Sequence, residues 1–194
     1  MSTFKASDPP SLVIQQTKEW VGKFVVGLNM CPFAKPVLAK GLIRYVECKD
    51  SEQGMIIDLL DQELVGLRDA QIDLVETTLF ILSNWAGDFV EFQFFVNMCR
   101  KRIKTLGLKG VIQIAEFHPN YQFADALSGD ISNATNQTPY PTLHLLREQS
   151  VELALQGAQT ADKIVQRNQA LLKEMGWDGL NKFLKEEKDF SNEP

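Results

Sequence analysis

Apolar residues in the first half of the chain follow first a helical and then an extended spacing. Near the N-terminus, positions that recur three or four residues apart predict an amphipathic first helix: Val13, Thr17, Trp20, Val21, Phe24, Val25 and Leu28. Residues 42–48 then predict a strand, and residues 55–67 repeat apolar side chains at helical steps. Residues 77–82 form a short apolar run typical of a buried strand. This order predicts a strand–helix–strand unit.

A further helix and a third strand follow this unit. Asp88 and Glu91 have the spacing of a capping box. The helix that they open has one apolar side: Phe89, Phe92, Phe95, Val96, Cys99, Ile103 and Leu106. Gly107 and Gly110 end this helix, and residues 111–115 predict the third strand. Strands that alternate with helices indicate right-handed crossovers and a mainly parallel sheet.

The predicted fold class is therefore α/β, with a small three-stranded, mainly parallel βαβαβ sheet and flanking helices. The alternative is an α+β, ferredoxin-like arrangement. A chain of 194 residues has the size of one domain. Because the sequence contains no linker or repeat, we expect a single domain over residues 1–194, with flexible tails at 1–8 and 186–194.

The periodic pattern disappears between His118 and Pro141. A loop of this length in a compact domain is typical of a functional segment rather than of a simple connection. After it, Thr142 is predicted to open a helix with apolar positions that include Leu143 and Leu146. A last helix is predicted from about residue 160 to residue 175, where Gly176 would end it.

Composition narrows the classes of function. The 20 basic and 25 acidic residues give a net charge of -5, so no overall basic field favours nucleic acid. The N-terminal residues lack the apolar segment of a signal peptide, and no later run is long enough to span a membrane. Three widely spaced cysteines suit neither a disulfide framework nor a zinc finger. We therefore expect reduced thiols, a cytoplasmic location, and neither nucleic acid nor membrane as a partner; the oligomeric state stays open.

The two histidines of the chain, His118 and His144, bracket the aperiodic loop. Open α/β sheets bind ligands beyond the carboxyl ends of their strands, which is where His118 is expected. Aromatic and hydrogen-bonding residues around it, with Tyr121, Asn133 and Asn136 as the candidate ligand-binding groups, have the composition of a pocket for a small polar ligand. The alternative is that the imidazoles only pin the loop through hydrogen bonds to backbone carbonyls.

Arg147 is the candidate anchor for an anionic ligand. On a helix that starts near Thr142, His144 and Arg147 would lie on one face and could contact the same ligand. A guanidinium there would offer a planar fork to a carboxylate or phosphate. The alternative for Arg147 is a salt bridge with a nearby acid such as Glu148 or Glu152.

Cys31 is the candidate nucleophile. It precedes Pro32 and a short segment, residues 33–38. If this segment forms a helical turn, the Cys31 sulfur would cap it, and the amide dipoles there favour the thiolate. The alternative is a thiol packed as a small apolar group between Met30 and Phe33. Cys48 and Cys99 lie within apolar patterns and are expected in the core.

Three blocks of sequence together resemble a known family. They are Asn29-Met-Cys-Pro-Phe-Ala34, Phe117-His-Pro-Asn-Tyr-Gln-Phe123 and Asn136-Gln-Thr-Pro-Tyr-Pro-Thr-Leu-His-Leu-Leu-Arg147. In this order they are similar to the recurring motifs of the bacterial and plant domain of unknown function DUF1415, over about residues 20–150. The resemblance implies no activity, but it places Cys31, His118, His144 and Arg147 within the motifs. Gln137 stands where relatives often carry Arg, so the resemblance does not extend to a second guanidinium.

These residues allow three functions. In a thiol-dependent enzyme acting on an anionic metabolite, Cys31 would be the nucleophile and His118 or His144 its base. In a metal-binding protein, Cys31, His118 and His144 would supply three ligands. In a non-catalytic module, the loop would bind a small ligand or a partner through its aromatic groups. No particular cofactor is indicated.

All three functions require the same convergence. We predict that residues 118–147 are ordered and that His118, Tyr121, His144 and Arg147 line one cleft, with Cys31 at its edge.

Overall fold

A four-stranded sheet organises the protein, which we describe from a computed structural model. The structure describes residues 10–155 and 160–186. The strands are β1 (Ile43–Cys48), β2 (Thr77–Leu82), β3 (Ile112–Phe117) and β4 (Thr142–Arg147). They lie in the order β1-β2-β4-β3, with β1 parallel to β2 and with β4 antiparallel to both of its neighbours. The first three strands therefore run in one direction, and β4 is inserted among them in the other.

The α/β class is confirmed, whereas the predicted three-stranded, mainly parallel sheet is wrong in two respects. The sheet has a fourth strand, and this strand makes it mixed. The strand–helix–strand–helix–strand order was predicted correctly, but β2 and β3 are separated by β4 instead of being adjacent. The ferredoxin-like alternative does not match either, because it has two strands between its helices, whereas here one strand lies between them and two follow.

The fourth strand occupies residues that were predicted to start a helix. Leu143 and Leu145 project to one side of the sheet and are fully buried, while Leu146 is buried on the other side. A central strand that is covered on both faces has no polar alternation, so its leucines resemble one turn of a buried helix. The helix begins only at α5 (Glu148–Leu155).

The remaining helices cover the two faces of the sheet. Helices α3 (Gln53–Asp69) and α4 (Phe89–Thr105) pack on one face, which we call the α3/α4 face. The predicted capping box of α4 is present, since Asp88 and Glu91 exchange hydrogen bonds of 2.9 Å. The main core lies here and includes fully buried side chains of these helices and of β2, β3 and β4: Ile56, Leu60, Leu64, Phe80, Phe92, Cys99, Ile112, Leu143 and Leu145.

The opposite face, which we call the cavity face, is covered by the N- and C-terminal helices. Helix α1 (Leu12–Trp20) continues into a π-helical turn (Val21–Val26) and is followed by α2 (Ala34–Ala39). The last helix is α6 (Ala161–Lys185). It continues beyond the predicted end at Gly176, which instead forms a kink with a φ of 64°. The predicted tail 1–8 and residues 187–194 of the other tail lie outside the described residues.

The aperiodic segment between β3 and β4 is ordered. It contains a 3₁₀ helix (Ile131–Asn136) that packs against α6, and the His118 amide donates to the Asn136 carbonyl. None of the described helices combines the length and the apolar character that crossing a membrane requires.

We predict that the leucines of β4 make a large contribution to stability. Leu145→Ala should lower the free energy of unfolding by about 2 to 5 kcal/mol, because it leaves a cavity between the sheet and two helices. The matched control is Leu127→Ala at a side chain that is 83% exposed, which should change it by less than about 0.5 kcal/mol. Equal effects in urea unfolding would contradict the assignment of β4 as a buried central strand.

Candidate functional site

A partly open cavity of about 220 Å³ lies between the cavity face of the sheet and the helices that cover it. Most of its wall is apolar: Trp20, Val21, Val25, Met30, Phe33, Ala34, Val37, Ile43, Leu79, Phe117, Ile164 and Val165. The polar lining groups are Cys31, Thr77, Thr135, Asn136, His144 and Asn168. Among the lining residues that the structure describes, none is Asp, Glu, Lys or Arg. The cavity therefore suits an uncharged molecule.

The register of β4 places His144 in this cavity. His144 pairs with Leu79 of β2 and with Ala115 of β3, so these three side chains share the cavity face. Its ring also lies 6.2 Å from that of Phe117. Arg147, three residues later on the same strand, projects to the α3/α4 face. The predicted common face of His144 and Arg147 is therefore wrong, because it assumed helical spacing in a strand.

A short chain of hydrogen bonds fixes the tautomer of His144. Its Nε2 lies 2.8 Å from the Thr77 hydroxyl, which is itself 2.6 Å from the Leu145 carbonyl. The hydroxyl has one proton and must give it to the carbonyl, since a carbonyl cannot donate. Nε2 therefore carries a proton and donates it to Thr77. Nδ1 remains as an acceptor with no hydrogen-bond partner among the described residues.

Burial keeps the His144 ring neutral. Removal from water disfavours the imidazolium and lowers the pKa of His144 to about 4. Thr77, beside it, is almost completely buried and hydrogen-bonded to a carbonyl, so it supplies no compensating charge. At neutral pH the ring therefore offers its unprotonated Nδ1, the form that can accept a hydrogen bond or a proton.

Cys31 reaches the cavity from the loop between the π-helical turn and α2. Asn29 in this loop has a φ of 52°, a left-handed conformation that asparagine tolerates better than most residues. Helix α2 begins after Phe33 and not after Cys31, so the predicted cap by the sulfur is absent, but the amides of Phe33 and Ala34 still lower the pKa of the Cys31 thiol. Burial acts more strongly and raises this pKa above its ordinary value. The predicted preference for the thiolate is therefore wrong, and the neutral thiol dominates at neutral pH.

The other polar groups of the cavity wall already have partners within the protein. Asn168 donates to the Met30 carbonyl at 2.7 Å and accepts from Arg167 at 3.0 Å. Asn136 donates to the Glu116 carbonyl at 3.5 Å, and its Oδ1 lies 3.2 Å from the Thr135 hydroxyl. Of the predicted ligand-binding residues, Asn136 thus reaches the cavity, but with its amide engaged.

His118 and Tyr121 lie away from this cavity. The His118 ring packs against Phe89 and Phe92 of α4, with ring centroids 5.3 and 5.0 Å apart. Its Nδ1 accepts from the Asn120 amide at 3.0 Å, and burial lowers its pKa. Tyr121 stacks beside Phe89, and burial raises its pKa. The imidazole of His118 therefore packs the loop against α4, with a backbone amide as its hydrogen-bond partner where the alternative interpretation expected carbonyls.

Asn133 and Arg147 also hold the backbone in place. The fully buried Asn133 accepts from the Phe123 amide at 3.0 Å and donates to the Leu127 carbonyl at 2.7 Å. Arg147 donates to the carbonyls of Ala70 and Val75 at 2.8 and 3.1 Å, and so ties β4 to the segment between α3 and β2. Neither residue lines the cavity.

The predicted convergence is therefore only partly present. Cys31, His144 and Asn136 share one cavity, whereas His118 and Tyr121 pack against α4 and Arg147 lies on the opposite face. Because the two imidazoles lie on different sides of the sheet, they cannot share a metal ion with Cys31. Within residues 10–155 and 160–186, no group of three or more His, Cys, Asp or Glu side chains could hold a metal.

Sequence reasoning missed several residues of the cavity wall. Thr77 was included in an apolar strand, although a hydroxyl at the start of a buried strand is a signal for a specific hydrogen bond. Ile164 and Asn168 of α6 are four residues apart and face the cavity together, a pattern that was treated only as a helix.

Comparison with known proteins supports a family but no activity. A family model described as "Protein of unknown function (DUF1415)" matches residues 12–182. The match spans both Cys31 and His144 and agrees with the resemblance of the three sequence motifs. No curated protein and no solved structure matches the chain.

The lowered pKa of His144 predicts a loss of stability in acid. Between the unfolded value near 6.5 and about 4, the unfolded chain binds a proton that the folded protein does not, so the free energy of unfolding falls as the pH falls. The whole shift corresponds to about 3 kcal/mol. In urea unfolding at several pH values, His144→Gln, which keeps an N–H for Thr77, should lose less stability than the wild type. His118→Gln, on the other side of the sheet, is the control and should keep the part of the pH dependence that comes from His144. If the wild type and His144→Gln lose equal stability as the pH falls, the predicted contribution of His144 is wrong.

We expect Arg147 to contribute to stability rather than to ligand binding. Arg147→Ala leaves the carbonyls of Ala70 and Val75 without their charged donor and should lower the free energy of unfolding by about 2 kcal/mol. Arg44→Ala is the control, because Arg44 forms an exposed ion pair with Glu63 and should contribute less than about 1 kcal/mol. The two variants can be compared by chemical unfolding. An unchanged stability in Arg147→Ala would restore an anion-binding role as the simpler explanation.

Proposed function

We propose that this chain, which belongs to the DUF1415 family, binds a small, uncharged and largely apolar molecule between its sheet and helices α1, α2 and α6. The observation that carries the proposal is the largely apolar, partly open cavity, which the neutral Cys31 thiol and His144 imidazole line. Binding sites for small molecules commonly combine an apolar wall with a few hydrogen-bonding groups.

The volume sets the size of the molecule. A buried apolar cavity of roughly 150 Å³ accepts benzene, and pockets for drug-sized ligands begin at about 300 Å³. The cavity of about 220 Å³ lies between these values. A single ring with one or two small substituents, or an aliphatic molecule of similar size, therefore fits best.

The absence of charge from the described cavity wall argues against the anionic metabolite that the sequence suggested. An ionised carboxylate or phosphate would lose its hydration without gaining a cation, which is strongly unfavourable. Arg147, the expected anchor, donates to two carbonyls on the opposite face of the sheet. We therefore propose a neutral ligand.

Thiol-dependent catalysis is a second candidate, because Cys31 and His144 line the same cavity. In this case Cys31 would attack the substrate while Nδ1 of His144 takes the thiol proton. His118 would play no part, since its ring packs against α4 on the other face of the sheet. Burial raises the pKa of the Cys31 thiol and lowers that of His144, so the reaction would have to start from a neutral pair. Binding without reaction needs no such proton transfer and is the simpler function.

A thermal-shift screen tests the binding proposal. Neutral ring-sized compounds should raise the melting temperature, because a ligand that binds only the folded protein stabilises it, and charged relatives such as benzoate should not. Val165→Trp, at the partly exposed edge of the cavity, should fill the space and abolish the shift. Val90→Trp, an exposed position on α4, is the matched control and should keep it.

Two results would count against this proposal. If no neutral compound stabilises the protein, or if Val165→Trp responds like the wild type, the cavity is not a binding site. Mass spectrometry of the compound recovered from the protein separates the two candidates. Unchanged compound supports binding, whereas a product formed by the wild type and not by Cys31→Ala supports thiol catalysis.

A further inference from the structure

We infer that the cavity selects neutral molecules that carry one hydroxyl group, which donates to Nδ1 of His144 and accepts from the Cys31 thiol. The inference rests on the proposed binding function and names the chemical class of its ligand. It follows from which polar atoms of the cavity wall are free and which are already satisfied.

Most polar lining groups already make a hydrogen bond within the protein. Thr77 has used its proton on the Leu145 carbonyl and accepts from His144. Thr135 donates its proton to the Ser132 carbonyl at 2.9 Å, Asn136 donates to the Glu116 carbonyl, and the amide of Asn168 is engaged at both ends. Nδ1 of His144 and the S–H of Cys31 have no hydrogen-bond partner within the described part of the chain. These two groups are a strong acceptor and a weak donor.

The acceptor is fixed by the fold. A tautomer with the proton on Nδ1 would place the lone pair of Nε2 against the Thr77 oxygen, whose only proton is held by the Leu145 carbonyl. That arrangement would lose one of these two hydrogen bonds in a buried environment, which is unfavourable. His144 also lies on a strand paired on both sides, so its backbone cannot shift to present another atom. A ligand must therefore supply the proton.

Several ligand groups fail this requirement. A ketone, ether or nitrile has only acceptors and would leave Nδ1 desolvated and unsatisfied. An aliphatic amine or a carboxylic acid is charged at neutral pH and has no counterion in the described wall. A hydroxyl group is neutral, donates one proton and accepts weakly, and so it complements both free groups. The rings of Trp20, Phe33 and Phe117 in the wall favour an aromatic carrier, which makes a small phenol the best match.

The test compares two compounds of nearly the same shape, p-cresol and p-xylene, by calorimetric titration of the full-length wild type. In the wild type, p-cresol can donate a hydrogen bond to Nδ1 of His144 and p-xylene cannot. The ratio of the p-cresol affinity to the p-xylene affinity should therefore be about tenfold larger in the wild type than in a His144→Phe variant. Comparing the ratio of the two affinities between proteins cancels the greater hydrophobicity of p-xylene. Cys31→Ala should reduce the preference by a smaller factor, since a thiol is a weak donor. Cys48→Ala, in the core of the other face, should leave it unchanged.

A second measurement needs no substitution. In wild-type protein with isotope-labelled histidine, p-cresol should shift the Nδ1 resonance of His144, whereas p-xylene should not; the resonances of His118 should stay in place with both. The inference is overturned if the ratio of the p-cresol and p-xylene affinities is the same in the wild type and in His144→Phe. It is also overturned if the Nδ1 resonance of His144 does not shift with p-cresol. In either case binding of both compounds would leave the proposed function standing. Failure of both to bind would remove the function as well.

Discussion

Strand β4 lies between β2 and β3 and hydrogen-bonds to both. This insertion determines which of its side chains face the cavity and which face the main core. Because the strand is central, its side chains are enclosed on both faces of the sheet. Alternation along the strand then separates its functional groups, since Leu145 and Arg147 face α3 and α4 while His144 faces the cavity. A one-residue slip in the register would exchange these roles, and the main core opposes such a slip because it would expose Leu143 and Leu145 to the cavity.

The chemistry of the cavity follows from the same burial. The Thr77 hydroxyl joins Nε2 of His144 to the Leu145 carbonyl, so a backbone group of β4 sets the tautomer of a side chain on β4. Burial lowers the pKa of His144 to about 4 and raises that of the Cys31 thiol. Both groups are therefore uncharged at neutral pH, which is the state that an apolar cavity stabilises. A reactive thiolate–imidazolium pair would need a wall with more water or more charge than this one has.

The sequence predicted those elements whose apolar pattern has a clear period. The helices over residues 53–69 and 89–105 each bury one side, and β1, β2 and β3 are separated from them by turns or caps, so their positions were correct in outline. β4 could not be recognised in the same way, because burial on both faces removes the period. The same error affected the prediction of the candidate site. Cys31 and His144 line one cavity, but the partner Arg147 was chosen by helical spacing, and the strand turns it away.

Family motifs cannot by themselves separate binding residues from residues that hold a loop. The block from Phe117 to Phe123 contributes Phe117 to the cavity, whereas its His118 accepts a hydrogen bond from the next turn and packs on α4. The block from Asn136 to Arg147 likewise contains His144 in the cavity and Arg147 in a backbone clamp. Ligand binding and loop anchoring both require polar side chains, because buried backbone carbonyls and amides need hydrogen-bond partners just as the polar groups of a ligand do. The two histidines differ in position: His118 packs on α4 and its Nδ1 accepts from a backbone amide, whereas His144 lines the cavity and its Nδ1 has no partner among the described residues.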